Sequence, residues 1–174
     1  MEATRISLKT LLWAVFAIVV LEVAGGVLNS LGIPTLSAIG LLRILEIGSL
    51  LGIVLFFEGS PSAIGFSTAT ITRGIRRGVL WSLAFGLFVG LLTLFLFAFG
   101  INPLPLVKIR LPGNPWGILL FFIVGGVISP VAEEVFFIGI ILSQYRRFGF
   151  LFALCLTSVI FAGLHLASSG IPVV

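Results

Sequence analysis

Five runs of about twenty mostly apolar residues, at 11–31, 36–57, 79–100, 116–143 and 149–168, occupy most of this chain. A bilayer's hydrocarbon core, about 30 Å thick, takes a helix of roughly 20 such residues to cross. Within lipid each backbone N–H and C=O has to be satisfied inside the segment, so runs of this length are read as helices. Charged residues are 9% of the 174, and the mean hydropathy is +1.31, whereas an ordinary soluble domain carries about 25% charged residues. The fold expected is all-α: a polytopic membrane helical bundle of about five transmembrane helices. It forms a single domain over 1–174, with no room for a separate soluble one.

The runs are separated by breaker-rich stretches: "GIPT" at 32–35, "EGSPSAIGFS" at 58–67, "GINPLPL" at 100–106 and "RLPGNPWG" at 110–117. The formal charge is +4, but the basic residues cluster in alternate loops, so orientation explains them and no nucleic-acid partner is called for. With the N-terminus cytoplasmic, Arg5, Lys9, Arg73, Arg76, Arg77, Arg146 and Arg147 fall inside, and only Lys108 and Arg110 fall outside. The expected location is a cytoplasmic membrane of prokaryotic type, crossed several times, with the N-terminus inside. The stretch "TRGIRRGV" at 72–79 either lies along the inner leaflet before turning into the third span or serves as simple topogenic charge.

Cys155 is the sole cysteine and lies in an apolar run, which excludes an internal disulfide and a cysteine metal site. The basic start followed by Leu11–Leu21 has the outline of a signal peptide, but apolarity resumes to Leu31 and Glu22 interrupts it, so an uncleaved span is preferred. Gly48 with Gly52 and Gly86 with Gly90 have the four-residue spacing that lets helices approach closely in lipid.

An ionisable residue at bilayer depth costs at least about 2.5–3.5 kcal/mol and ordinarily faces a cavity or a partner. Glu22, Arg43, Glu46, Glu133, Glu134 and His165 all require that explanation. Arg43 and Glu46 are three apart and suit a structural ion pair, while Glu22 is an alternative partner for Arg43 at similar depth; the sequence does not choose between them. Glu133 and Glu134 are adjacent, so on a regular helix they point about 100° apart. Pro130 removes a backbone hydrogen bond just before them and offers a cause for distortion. Counting from the tight turn "QYRRFG", Glu134 lies about 18 Å and His165 about 27 Å into the membrane. The fourth and fifth runs should therefore pack antiparallel and bring the acids within about two turns of the imidazole.

A buried carboxylate beside a histidine can hold and deprotonate a water molecule in a dry cavity, which suits peptide-bond hydrolysis. The same groups could bind a divalent metal, although one histidine is thin for zinc. Residue types and spacing alone leave hydrolase and proton relay both open.

"EEVFFIG" at 133–139 and "FAGLH" at 161–165 resemble the first two motifs of the CAAX-protease and bacteriocin-processing family of intramembrane endopeptidases, also called the Abi family. That family shows Glu-Glu-x-x-x-Arg on one membrane helix, Phe-x-x-x-His on the next, and a third motif with His and Asn or Asp. The segment "SAIGFSTATITRGIRRGVLWSLAFGLFVG" at 62–90 is similar to the family's lead-in, so the family-like core spans about 55–170. The resemblance implies that Glu133 activates water, Glu134 supports it and His165 helps to hold it. It implies a membrane-associated peptide or protein substrate, lipidated or leader-bearing. A glutamate mechanism without metal is favoured, and the cofactor stays open. Two departures stand out. Ile138 occupies the arginine position, and no third motif precedes the closing "SSGIPVV". The expectation is thus a fragment or degenerate member lacking the family's C-terminal helices, with a non-catalytic immunity or scaffold role as the alternative.

Overall fold

The computed structural model describes residues 6–32, 35–104 and 111–169, leaving aside the side chains of Ala69 and residues 167–169. Arg5, Lys108 and Arg110, used above for orientation, and the closing residues 170–174 lie outside that set.

Five helical elements follow one another, with no strand among the described residues. They are α1 (Leu8–Ser30), α2 (Thr35–Glu58), α3 (Thr68–Ala98), a composite α4 (Pro115–Phe148) and α5 (Phe150–Ser169). The first four are long and apolar enough to cross a membrane, and α5 holds a shorter apolar helix over Phe150–Leu166. The chain is an all-α membrane helical bundle.

Side-chain caps start several helices by satisfying otherwise orphaned N–H groups. Ser7 accepts from the Thr10 N–H, Ser67 and Thr70 form a reciprocal capping box, and Asn114 accepts from the Gly117 N–H ahead of a proline at the first helical position. A 3₁₀ turn, Pro61–Ile64, closes on Gly65 at φ 84°, a left-handed conformation that glycine adopts without strain. Gly149, at φ 112°, makes the tight reversal between α4 and α5.

Glu58, at the end of α2, ties together one end of the bundle: its carboxylate accepts from the Ser7 N–H at 2.8 Å and from the Thr10 hydroxyl. An anion there also complements the positive end of the α1 dipole.

α3 is one uninterrupted helix of 31 residues, so the basic stretch does not lie flat and then turn. No proline interrupts it, the capping box sets its start at Ser67, and Gly74 and Gly78 alone do not break it. α3 has no substantial contact with any other element, and none of its described residues is buried. α1, α2, α4 and α5 form the packed unit: α1 lies along α2, α2 along α4, and α4 along α5.

The core of that unit joins Leu11 and Ala14 of α1, Leu50 and Val54 of α2, Ile64 of the 3₁₀ turn, and Val135, Ile140 and Ile141 of α4. Close approach occurs at other glycines than the spaced pairs. A Cβ at Gly40 would stand 2.8 Å from Val124 Cγ2, and one at Gly139 would stand 3.2 Å from Ile64 Cβ. Nothing lies within 4 Å of the Cβ position at Gly48, Gly52, Gly86 or Gly90.

Candidate active site

α4 is where the backbone departs from a regular α-helix. Two π-helical stretches, Val124–Ile128 and Glu134–Leu142, flank the α-helical turn Ser129–Glu133. Pro130 in that turn cannot donate to the carbonyl four residues back, and its ring crowds that carbonyl. Turns widened to i→i+5 bonding accommodate such a defect and are frequent at functional sites. The distortion expected from Pro130 is present as widened turns on both sides.

Directly beyond the core, four helices line a partly open cavity of about 420 Å³. The stripe that is buried lower down continues into it on each one. On α1 the series Leu11 and Ala14 runs on to Ile18 and Glu22; on α2, Val54 and Leu50 run back to Glu46 and Arg43. α4 supplies Ala132, Glu133, Phe136 and Phe137, and α5 continues from the buried Ala153 and Thr157 to Leu164 and His165. The lining is more apolar than polar, and five ionisable groups share the space.

Of the residues singled out by sequence, Glu133 and His165 line this one cavity from adjacent helices. Glu134 does not line it; the residue is exposed on the flank of α4. Ile138, at the position where the resembled motif has arginine, is also exposed, at 40%.

His165 is held by its own helix. Its Nδ1 lies 3.0 Å from the Phe161 carbonyl oxygen. A carbonyl only accepts, so Nδ1 is the donor in this bond. The imidazole also stacks on the Phe161 ring at 4.1 Å, and Phe161 meets Phe137 of α4 edge to face at 5.1 Å. This aromatic chain joins the histidine's turn to the turn that carries the acids.

The spacing Phe161–His165 thus has a physical use: the aromatic and the carbonyl one turn back together fix the orientation of the imidazole ring.

Arg43, which the sequence left undecided between two partners, has both. Its Nη1 lies 2.6 Å from Glu46 Oε2, and its Nη2 lies 3.4 Å from Glu22 Oε1. The triad crosses from α1 to α2 and opens onto the Glu133 and His165 cavity. Sequence reasoning treated these three as a structural tie and missed that they share the site; their matching depth near mid-span was the available signal. Chemically, the cavity sets a carboxylate and an imidazole in one recess beside a fixed guanidinium. Among the described residues no group of three or more His, Cys, Asp or Glu side chains comes together to hold a metal ion. Glu133 and His165 offer two donors, short of the three or four that a zinc site takes.

Comparison with protein families matches residues 115–174 to the model for Rce1-like, type II CAAX prenyl endopeptidase Rce1-like. The family resemblance holds over α4 and α5. The match starts at Pro115, the first residue of α4, and takes in both Glu133 and His165. It leaves out α1 and α2, which supply the Glu22, Arg43 and Glu46 wall. Comparison with curated proteins and with solved structures gives no match. The matched family is one of proteases, and this stretch of an integral membrane bundle is similar to it.

Proposed function

We propose that this protein is an intramembrane endopeptidase that hydrolyses a peptide bond of a membrane-associated substrate, lipidated or leader-bearing. The observation that carries the reading is the meeting of Glu133 and His165 in one recess, within the segment that matches a family of prenyl endopeptidases. In the reading, a water molecule in the cavity donates a hydrogen bond to His165 Nε2 and loses a proton to the Glu133 carboxylate. The resulting hydroxide adds to the scissile carbonyl carbon. Glu133 then returns the proton to the departing amine as the C–N bond breaks, so one water is consumed and the base is regenerated. Phe136, Phe137 and Leu164 keep other water out, which strengthens the electrostatic contacts of the reacting groups. Glu134 enters only as a supporting residue inferred from the motif. The orientation proposed has the N-terminus on the cytoplasmic side of a prokaryotic membrane.

The test is cleavage of a membrane-tethered peptide by the protein in liposomes. General acid–base catalysis contributes about 10²- to 10⁴-fold, so Glu133→Gln should lower kcat by about that factor. His165→Ala should lower it as well. Full activity in either variant overturns the reading. A second reading, a non-catalytic immunity or scaffold protein of the same fold, is favoured by Ile138 at the arginine position of the motif. It is rejected if the wild-type chain cleaves a substrate in a Glu133-dependent way.

A further inference from the structure

α3 carries three arginines, Arg73, Arg76 and Arg77, and no acidic residue anywhere along its length. The sequence has no acid between Glu58 and Glu133, and among the described residues none of the three arginines is in an ion pair. Positions i, i+3 and i+4 share a helix face, so the three guanidinium groups are neighbours that repel one another.

The same face continues into apolar residues. Arg73, Arg76 and Arg77 line a shallow groove together with Val79, Leu80 and Leu83. Cationic heads therefore sit at one end of the groove and a hydrocarbon surface at the other, within about three turns of helix.

Helix length fixes where this groove lies. α3 has 31 residues, about 46 Å at 1.5 Å per residue, well beyond the ~30 Å of hydrocarbon. Its last twenty residues, from Val79 on, contain no charge and suffice for the crossing. Arg77 then lies about 3 Å and Arg73 about 9 Å outside the hydrocarbon boundary. Arg76 and Arg77 then lie within the headgroup layer, which is about 5–8 Å thick on each side, and Arg73 at its outer edge.

We infer that this face of α3 is a binding site for an anionic phospholipid: Arg73, Arg76 and Arg77 take the headgroup phosphodiester, and an acyl chain lies along Val79, Leu80 and Leu83. The guanidinium fork matches phosphate oxygens in paired hydrogen bonds. The groove supplies the apolar half of the ligand, which a free anion lacks. A purely topogenic cluster requires only net charge near the span, whereas a lipid site requires a preference for one headgroup over another. The inference is independent of the proteolytic reading.

Trp81 is one turn beyond Arg77, is largely exposed, and reports on the lipid beside the groove. The full chain with Trp13→Phe and Trp116→Phe, leaving Trp81 as the only tryptophan, is reconstituted in phosphatidylcholine vesicles. Brominated phosphatidylglycerol or brominated phosphatidylcholine is then added as quencher. Each arginine near the surface favours anionic lipid by about fivefold, so the relative association constant should favour phosphatidylglycerol by more than about tenfold. It should fall by about fivefold in each of Arg73→Gln, Arg76→Gln and Arg77→Gln. The single variants retain two arginines to hold the topology, so the measurement does not depend on the triple variant inserting. Equal quenching by the two lipids overturns the inference, as does undiminished selectivity in all three variants. Inorganic phosphate is compared with chloride at equal ionic strength. Loss of selectivity in phosphate alone would make this a soluble-anion site and overturn the lipid assignment.

Discussion

Arg43 sits between two glutamates that differ in every physical respect except charge. Glu46 is 3% exposed and 2.6 Å away, whereas Glu22 is 58% exposed and 3.4 Å away. Removing one partner of a buried pair leaves an uncompensated charge and costs about 3–5 kcal/mol. Arg43→Gln strands the buried Glu46 and should therefore lower stability by about 3–5 kcal/mol, and Glu22→Gln, which leaves the closer Arg43–Glu46 pair in place, should cost less. Replacing Arg43 and Glu46 together with methionine should recover only part of the first loss, since it removes the stranded Glu46 but leaves Glu22 without its cation. Denaturant unfolding in detergent measures all three, and equal effects of the two single changes would contradict the asymmetry. Gln144 gives a prediction of opposite sign. Its amide nitrogen is buried with no partner among the described residues, and such a group costs about 1–3 kcal/mol. Gln144→Met should raise the unfolding midpoint, and a clear drop would mean that the amide is satisfied.

Helices carry the next set of contrasts. At Gly40 a Cβ would meet Val124 Cγ2 at 2.8 Å, on a β-branched side chain with little freedom to move. At Gly25 it would meet the flexible tip of Leu42 at 2.7 Å, and at Gly48 it would meet nothing. Gly40→Ala should thus destabilise the contact between α2 and α4 by about 1–3 kcal/mol, the usual cost of overpacking. Gly25→Ala should cost less. Gly48→Ala should be neutral or stabilising, because alanine is the better helix former. Thermal unfolding of the three variants ranks them, and a different order would place the close approach elsewhere. Little of this was legible beforehand. Four-residue spacing identified glycine pairs that could permit contact, but spacing does not say which face of a helix meets a neighbour. In a soluble helix an apolar stripe answers that question; here the helices are apolar all round, so their rotation leaves no trace in the sequence. The same gap explains Glu133 and Glu134. Their depth and the presence of a distortion could be read from Pro130 and residue counts, yet which acid turns inward could not. The ion pair was limited in the same way: residue types gave Arg43 two candidate partners, and only the packing of α1 on α2 shows that it takes both.

For the whole molecule, the division is between a packed unit of four helices and α3 at its side. The number and order of the helices followed from the length of the apolar runs, because bilayer thickness sets that length directly; the start of α3 did not, since the helix begins at Thr68 and not at 79. The separation of α3 did not, since its composition resembles that of the others. Truncating a packed residue should accordingly cost far more than truncating one on α3. Leu50→Ala, at the buried centre of α2, should lose about 2–5 kcal/mol, while Leu83→Ala and Leu87→Ala on exposed α3 positions should change stability by less than about 0.5 kcal/mol. Comparable losses, read by unfolding in detergent, would show that α3 packs more closely than its exposure indicates.

The cavity's walls come from two separate stretches of chain. Glu22, Arg43 and Glu46 come from α1 and α2, and Glu133 and His165 from α4 and α5, with α3 and the breaker-rich segment after it in between. The recess is therefore a seam, and a cut in the connecting segment need not destroy it. Residues 1–104 and 111–174, produced as two polypeptides in one membrane, should find each other through the α2 and α4 surfaces and restore the recess. Neither half alone could hold the arginine and the histidine around a common space.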